Sequence, residues 1–278
     1  MNMQKVRTIV KNALEEDLGT GDITTENVIE QGETSKAEIF FKEEGVLAGL
    51  PVAKSVFKEL DETIEFSILK EESEMIKEGE RVAEISGRTE AILKGERLAL
   101  NFLQRLSGIA TQTREYVDKV EGYDVKIVDT RKTTPNLRIL EKYAVRVGGG
   151  NNHRMGLYDC VLIKDNHIRS AGGIQEAVRR VENDHTIRIE IEIESLDEVK
   201  EALDAKVDMI MLDNMDYEQM EKAVELIGDQ AVIEASGGIE LDNIREVAAT
   251  GVDVISVGAL THQISSLDIS LDIVHQQL

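Results

Sequence analysis

The chain has 278 residues, 41% hydrophobic and 31% charged, and its 32 Lys and Arg against 54 Asp and Glu give a formal net charge of −22. So acidic a surface repels phosphate backbones and anionic headgroups, which excludes general nucleic-acid binding and attachment to membrane surfaces. The apolar content supports the core of one large domain or two unequal ones.

Residues Met1 to Leu18 carry Val6, Ile9, Val10, Ala13 and Leu14 on one helical stripe among charges, unlike the continuous apolar centre of a signal peptide. No run approaches the ~18 apolar residues of a membrane helix, so a cytoplasmic location is expected. From about residue 37 to 93 the texture is strand-like and turn-rich, with short runs at Ala37–Phe41, Gly45–Gly49, Ile64–Ile68 and Arg81–Ile85. Such runs suit an antiparallel sheet with one solvated face. A helix from Lys94 to about Lys119 follows, its apolar positions Leu98, Phe102, Leu103, Leu106, Ile109 and Ala110 recurring at three and four residues. Ser107-Gly108 marks a candidate break in its middle.

Beyond residue 125 strands and helices alternate. Apolar strand candidates begin near Val125, Cys160, Ile187, Asp208, Ala231 and Val252, at intervals of 35, 27, 21, 23 and 21 residues. That spacing belongs to βα units of a parallel sheet, predicting an α/β barrel with an open doubly wound sheet as the alternative. Ser195 with Glu198 and Asp216 with Gln219 read as helix N-caps. The stretch 265–278 alternates apolar and polar residues and is expected to return to the first domain. Cys160, the sole cysteine, lies in an apolar run and reads as an inert thiol.

The charge is unevenly placed. Residues 126–169 hold nine basic and four acidic side chains, a window of +5 that leaves −27 for the remainder. A basic island in an acidic chain reads as a focused pocket for a small polyanion. Lys126, Arg138, Lys142 and Arg169 suit helix surface, whereas Arg131, Lys132 and Lys164 directly follow apolar strands. In a parallel barrel the residues past each strand's C-terminal end form the functional rim. Here that rim reads Asp129-Thr130-Arg131-Lys132-Thr133-Thr134, then Lys164-Asp165-Asn166-His167, then Glu190, Glu192 and Glu194, then Asp213-Asn214, Glu234-Ala235-Ser236-Gly237-Gly238 and Gly258-Ala259. It runs from basic, through acidic, to glycine-rich, suiting carboxylates or phosphates, then Mg²⁺ or sugar hydroxyls, then a phosphate.

The third strand candidate is unusual, with Ile187, Ile189, Ile191 and Ile193 on one face and Arg188, Glu190, Glu192 and Glu194 on the other. Charges turned into a barrel need partners or a ligand; a half-exposed antiparallel edge strand is the plainer reading. Among the histidines, His185 and His275 read as surface residues, His153 with Arg154 as an anion-binding pair, and His262 as lying one turn beyond Gly258. Zinc-ligand spacings and a GxSxG nucleophile elbow are absent from the sequence.

Asp129-Thr130-Arg131-Lys132-Thr133-Thr134-Pro135, His153-Arg154, Lys164-Asp165-Asn166-His167, Leu212-Asp213-Asn214 and Glu234-Ala235-Ser236-Gly237-Gly238, in this order, resemble the quinolinate phosphoribosyltransferases. Glu16 to Thr24, Glu96-Arg97 and Leu106 to Ala110 resemble the same family. The resemblance implies an N-terminal α/β sandwich domain over 1–110, joined by 266–278, and an open TIM-like α/β barrel over 111–265. It also implies a homodimer, or a higher oligomer, with shared active sites. The reaction it implies is transfer from phosphoribosyl pyrophosphate to quinolinate, giving nicotinate mononucleotide, pyrophosphate and CO₂ with Mg²⁺, in NAD biosynthesis. By position, Arg131, Lys132, His153, Arg154 and Lys164 would surround the quinolinate carboxylates and the pyrophosphate, with Arg97 reaching in from the partner subunit. Glu192 and Asp213 would lie near the ribose and metal, and Ser236, Gly237, Gly258 and His262 at the 5′-phosphate. Lys132, Lys164, Glu192 and Asp213 are the expected catalytic set; the resemblance asks for no base at Arg105. The rivals are a related phosphoribosyltransferase acting on another aromatic carboxylate and a non-catalytic anion-binding protein on the same fold.

Overall fold

The structure, a computed structural model, describes residues 1–181 and 188–274. Ile187, His185 and His275 lie outside the described residues. The chain begins with helices α1 (Met3–Leu18) and α2 (Ile23–Val28), then β1 (Thr34–Phe41), β2 (Gly45–Val46), α3 (Leu50–Leu60), β3 (Glu65–Ile68), β4 (Met75–Ile76) and β5 (Arg81–Arg88). Helix α4 (Thr89–Lys119) precedes β6 (Lys126–Val128), α5 (Arg138–Val147), β7 (Val161–Ile163), α6 (Asp165–Ala171) and α7 (Ile174–Val181). Then come β8 (Ile189–Ile193), α8 (Leu196–Asp204), β9 (Met209–Asp213), α9 (Tyr217–Ile227), β10 (Val232–Ser236), α10 (Ile244–Ala249), β11 (Val254–Ser256), α11 (Ala259–His262) and β12 (Ile269–Val274). Among the described residues no helix is long and apolar enough to cross a membrane.

Two compact units emerge. The first comprises 1–114, 133–149 and the chain from Gln263; the second comprises Glu115–Lys132 and Gly150–His262. Segment 133–149, placed in the second domain by the sequence reading, thus groups with the first.

In the first unit an antiparallel sheet runs β12-β1-β5-β3. The C-terminal stretch does return: Ile39 stands opposite Leu271 on one side and Ala83 on the other. Along β1, Ala37, Ile39 and Phe41 are buried and alternate with Lys36, Glu38 and Phe40, as a half-solvated sheet requires. Helix α1 is capped by the Asn2 side chain and buries Val6, Val10 and Leu14.

Two local features depart from the sequence reading. Helix α3 lies inside the stretch read as strands and turns. Gly49 enters it at φ 111, Pro51 occupies its first turn, and Val52, Ala53, Val56 and Phe57 are buried at helical spacing. The second departure is in α4, which continues unbroken for 31 residues through Ser107-Gly108. Ser107 exchanges hydrogen bonds with the Ala48 backbone at 3.1 Å. At Gly108 a Cβ would collide with the Ser265 carbonyl. The small residues serve close approach rather than a break.

The second unit holds all six expected strands in one parallel sheet, ordered β6-β11-β10-β9-β8-β7. A doubly wound sheet reverses its strand order at a switch point. This order instead follows the chain cyclically, with β6 joined to β11, and is that of a barrel left open between β6 and β7, where an isolated bridge links Val128 and Asn151. The predicted N-caps hold, Ser195 on α8 and an Asp216–Gln219 capping box on α9.

Candidate functional site

Because the six strands are parallel, their C-terminal ends lie along one edge, and register sets side by side the residues that follow them. Ser236 at the end of β10 stands opposite Asp213 at the end of β9, and Glu192 on β8 opposite Met211. Strand β11 pairs Ser256 with Val128 of β6. The rim read from the sequence is therefore a physical row.

Lys132 is anchored by its backbone. Its N–H donates to Thr130 Oγ1 at 3.0 Å, and its carbonyl accepts from the buried Thr261 hydroxyl at 2.8 Å. A Cβ on Gly258 would lie 3.0 Å from His262 Nε2 and 3.1 Å from Lys132 Cδ. Lys132, Gly258 and His262 thus meet at one point, with room kept by the absence of a side chain.

In the acidic sector Lys164, the N-cap residue of α6, forms an ion pair with Glu192. The Lys164 backbone N–H donates to His167 Nδ1 at 3.0 Å, so His167 fixes the turn that presents this lysine. Asp213 accepts from Asn214 Nδ2 at 2.7 Å, while the Asn214 N–H donates to the Ser236 carbonyl at 2.9 Å. Asn214 adopts φ 54, a left-handed conformation that asparagine tolerates. Any Cβ on Gly237 would strike the Asn214 side chain. Asn214 therefore clasps the acidic sector to the glycine-rich one. Glu192 and Asp213 offer hard carboxylate oxygens from neighbouring strands, a donor set that fits Mg²⁺ shared with a substrate's oxygens.

Beneath this row the sheet interior is charged. Glu190 is 1% exposed, and Glu234 and Asp129 are 0%. His153 Nε2 lies 3.1 Å from Glu190 Oε2 and 3.4 Å from Glu234 Oε2. The edge-strand reading of β8 fails: β8 is parallel to β7 on one side and to β9 on the other, and its Glu190 faces a histidine while Glu192 faces Lys164. Burial opposes a charged imidazole, but the hydrogen bonds and charges of Glu190 and Glu234 outweigh it and raise the His153 pKa to about 10. Burial foremost, with the Glu234 charge adding and His153 opposing, pushes the Glu190 carboxyl up. The Arg154 N–H reaches Nδ1 of the neutral ring at 2.7 Å; protonation exchanges that one bond for a full charge against two carboxylates. One histidine and two glutamates within 4.8 Å also have the composition of a cation site, yet here Nε2 faces the carboxylates as a donor.

Not every expected residue is gathered by the strand ends. Arg97 is exposed on α4 in the first unit and Arg131 is exposed in the loop after β6. Arg154 is half-buried and donates to the Cys160 carbonyl at 3.3 Å. The Cys160 thiol is pushed up to about 11 by burial, in keeping with an inert group. Arg105 has a structural place within the first unit. Its guanidinium donates to Glu141 at 2.6 and 3.0 Å and to the Thr134 hydroxyl at 2.7 Å, while the Thr134 N–H donates to Glu141 at 3.0 Å. The sequence reading missed Thr261, His167 and Asn214 as supports. It also missed that Glu190 and Glu234 converge on His153; the one signal was acid at alternate positions of apolar strands.

Residues 22–107 match the family model of the quinolinate phosphoribosyl transferase N-terminal domain, and residues 109–272 that of its C-terminal domain. The chain is 46% identical over 276 residues to a Bacillus subtilis protein described as a "probable nicotinate-nucleotide pyrophosphorylase (carboxylating)", covering 98% of this chain and 95% of the relative. It is 43% identical to a Methanocaldococcus jannaschii protein of the same description, covering 97% of each. Among solved structures, NadC from Streptococcus pyogenes superposes with a TM-score of 0.94 at 42% identity, covering 99% of each chain.

Proposed function

The chain belongs to the quinolinate phosphoribosyltransferase family, and we propose that the row of strand ends in its second unit carries that family's reaction. The enzyme transfers the phosphoribosyl group of phosphoribosyl pyrophosphate to quinolinate with loss of CO₂, yielding nicotinate mononucleotide and pyrophosphate for NAD biosynthesis. The observation that carries the assignment is the meeting of Lys132, Gly258 and His262 on the same rim as Lys164–Glu192 and Asp213–Ser236.

Two polyanions must meet, so cations have to lie between them. On this reading Arg131, His153, Arg154 and Lys164 hold the two carboxylates of quinolinate, and Lys132 neutralises the departing pyrophosphate. Ser236, Gly237, Gly258 and His262 hold the 5′-phosphate, which fixes the ribose. Positive charge developing at the anomeric carbon falls beside Glu192 and Asp213, where fixed negative groups lower the barrier. Lys164 pairs with Glu192; substrate would take over the lysine and leave the carboxylate to the sugar. Mg²⁺ fits Glu192 and Asp213 and would supply further charge for the leaving group when bound. No side chain need form a covalent intermediate, so positioning and electrostatics do the work. The basic cluster would also stabilise the ring carbanion left as CO₂ departs.

Arg97 is assigned across a homodimer, each subunit completing its partner's site, and the location is assigned to the cytoplasm. Purified protein supplied with quinolinate, phosphoribosyl pyrophosphate and Mg²⁺ is expected to release CO₂ and form nicotinate mononucleotide. Equal use of nicotinate would favour the other aromatic carboxylate reading, and the absence of product would favour an anion-binding protein.

A further inference from the structure

Glu190 and Glu234 play no part in the mechanism above, yet they are among the most deeply buried charged groups of the second unit. Apart from the His153 ring, three of their four carboxylate oxygens, Glu190 Oε2 and both of Glu234, have no hydrogen-bond partner among the described residues. The His153 ring nitrogen, at 3.1 and 3.4 Å, is the positive group set against them. Two carboxylates facing one imidazole leave an excess of negative charge in the interior, an arrangement that costs stability compared with neutral groups of the same shape. A pair that existed to hold the fold together would be fully hydrogen-bonded.

The backbone of the same segment is held separately. Asp129, at the end of β6, accepts the His153 N–H at 3.0 Å and also binds the Asn152 side chain. Ring and backbone are thereby fixed from different strands, and Arg154 follows directly in the chain.

We propose that Glu190 and Glu234 are positioning residues, which draw the His153 ring against β8 and β10 and so set the His153-Arg154 segment for the quinolinate carboxylates. The inference rests on the reading of His153 as a quinolinate ligand. Neither glutamate touches substrate; both act through the ring.

Steady-state kinetics and thermal unfolding of the full-length Glu234→Gln and Glu190→Gln variants test this, alone and combined with His153→Ala. Each glutamine variant is expected to raise the KM for quinolinate about tenfold, leave the KM for phosphoribosyl pyrophosphate unchanged, and keep or raise the melting temperature. In the His153→Ala background the same substitutions are expected to have no further effect on the quinolinate KM. A glutamine variant with an unchanged quinolinate KM, while His153→Ala raises it, overturns this inference alone. Parallel losses in kcat and both KM values with a lowered melting temperature, in whichever variant folds, mark a structural role and also overturn it. If His153→Ala itself leaves the quinolinate KM unchanged, the ligand reading of His153 fails, and this inference with it.

Discussion

Strands β1 and β8 carry the same alternation of apolar and charged residues and use it in opposite ways. In β1 the apolar side chains Ala37, Ile39 and Phe41 face the core, and Lys36 and Glu38 face solvent. In β8 Glu190 is as buried as Ile191 and Ile193, and faces a histidine. Both strands are paired on each side, but one belongs to an antiparallel sheet with a wet face and the other to a parallel sheet whose charged face is buried. An alternating pattern therefore does not itself say which face is inside. The face that the sheet turns inward decides it, and charges that end up inside need partners of their own.

The difference predicts that substitutions in the two sheets separate activity from stability. Lys132→Ala, at the rim of the parallel sheet, should lower turnover by roughly 10²–10³-fold with an unchanged melting temperature. Mixing it with Arg97→Ala subunits should restore part of the activity by pairing one intact site; a lack of complementation in mixed-subunit assays would place Arg97 in the same subunit's site. Phe41→Ala, in the antiparallel sheet, should cost about 3–5 kcal/mol of unfolding free energy. Its kcat, corrected for folded fraction in denaturant titrations, should match the parent's, and a specific loss of kcat would erase the contrast. The smallest effect concerns Cys160, whose thiol is held at about 11 against an ordinary 9.0. At pH 8 its thiolate fraction is about a hundredfold below that of a free cysteine, so iodoacetamide should label it correspondingly slowly. The stability that the protonated Cys160 contributes is present below pH 9 and fades as pH rises through about 11.

Much of the architecture was legible because local chemistry marks it. The six parallel strands start within a few residues of their apolar runs, and Ser195 and Asp216 cap the predicted helices. Helix α3 was hidden because its entry, Gly45 to Gly49, has the composition of a strand and turn, and because only tertiary burial reveals the spacing of Val52, Val56 and Phe57. Ser107-Gly108 read as a break because propensity cannot see the Ser265 carbonyl that requires a glycine. At the rim, basic and acidic residues following strands could be found from order alone. The supports could not: Thr261 reaches Lys132, and Glu234 reaches His153, across stretches of chain that carry no periodic signal.

Strand β12 has a bearing on how the molecule is made. It pairs with β1 along Lys36 to Phe41, yet it lies beyond all six strands of the parallel sheet in the chain. A ribosome delivers β1, β3 and β5 first, and the nascent sheet then presents the β1 edge unpaired while the whole second unit is translated. An open edge of that kind invites pairing with other chains. The domain begun first is finished last, so a chain truncated before Ile269 would leave the β1 edge exposed and should aggregate and engage chaperones more readily than the full-length chain.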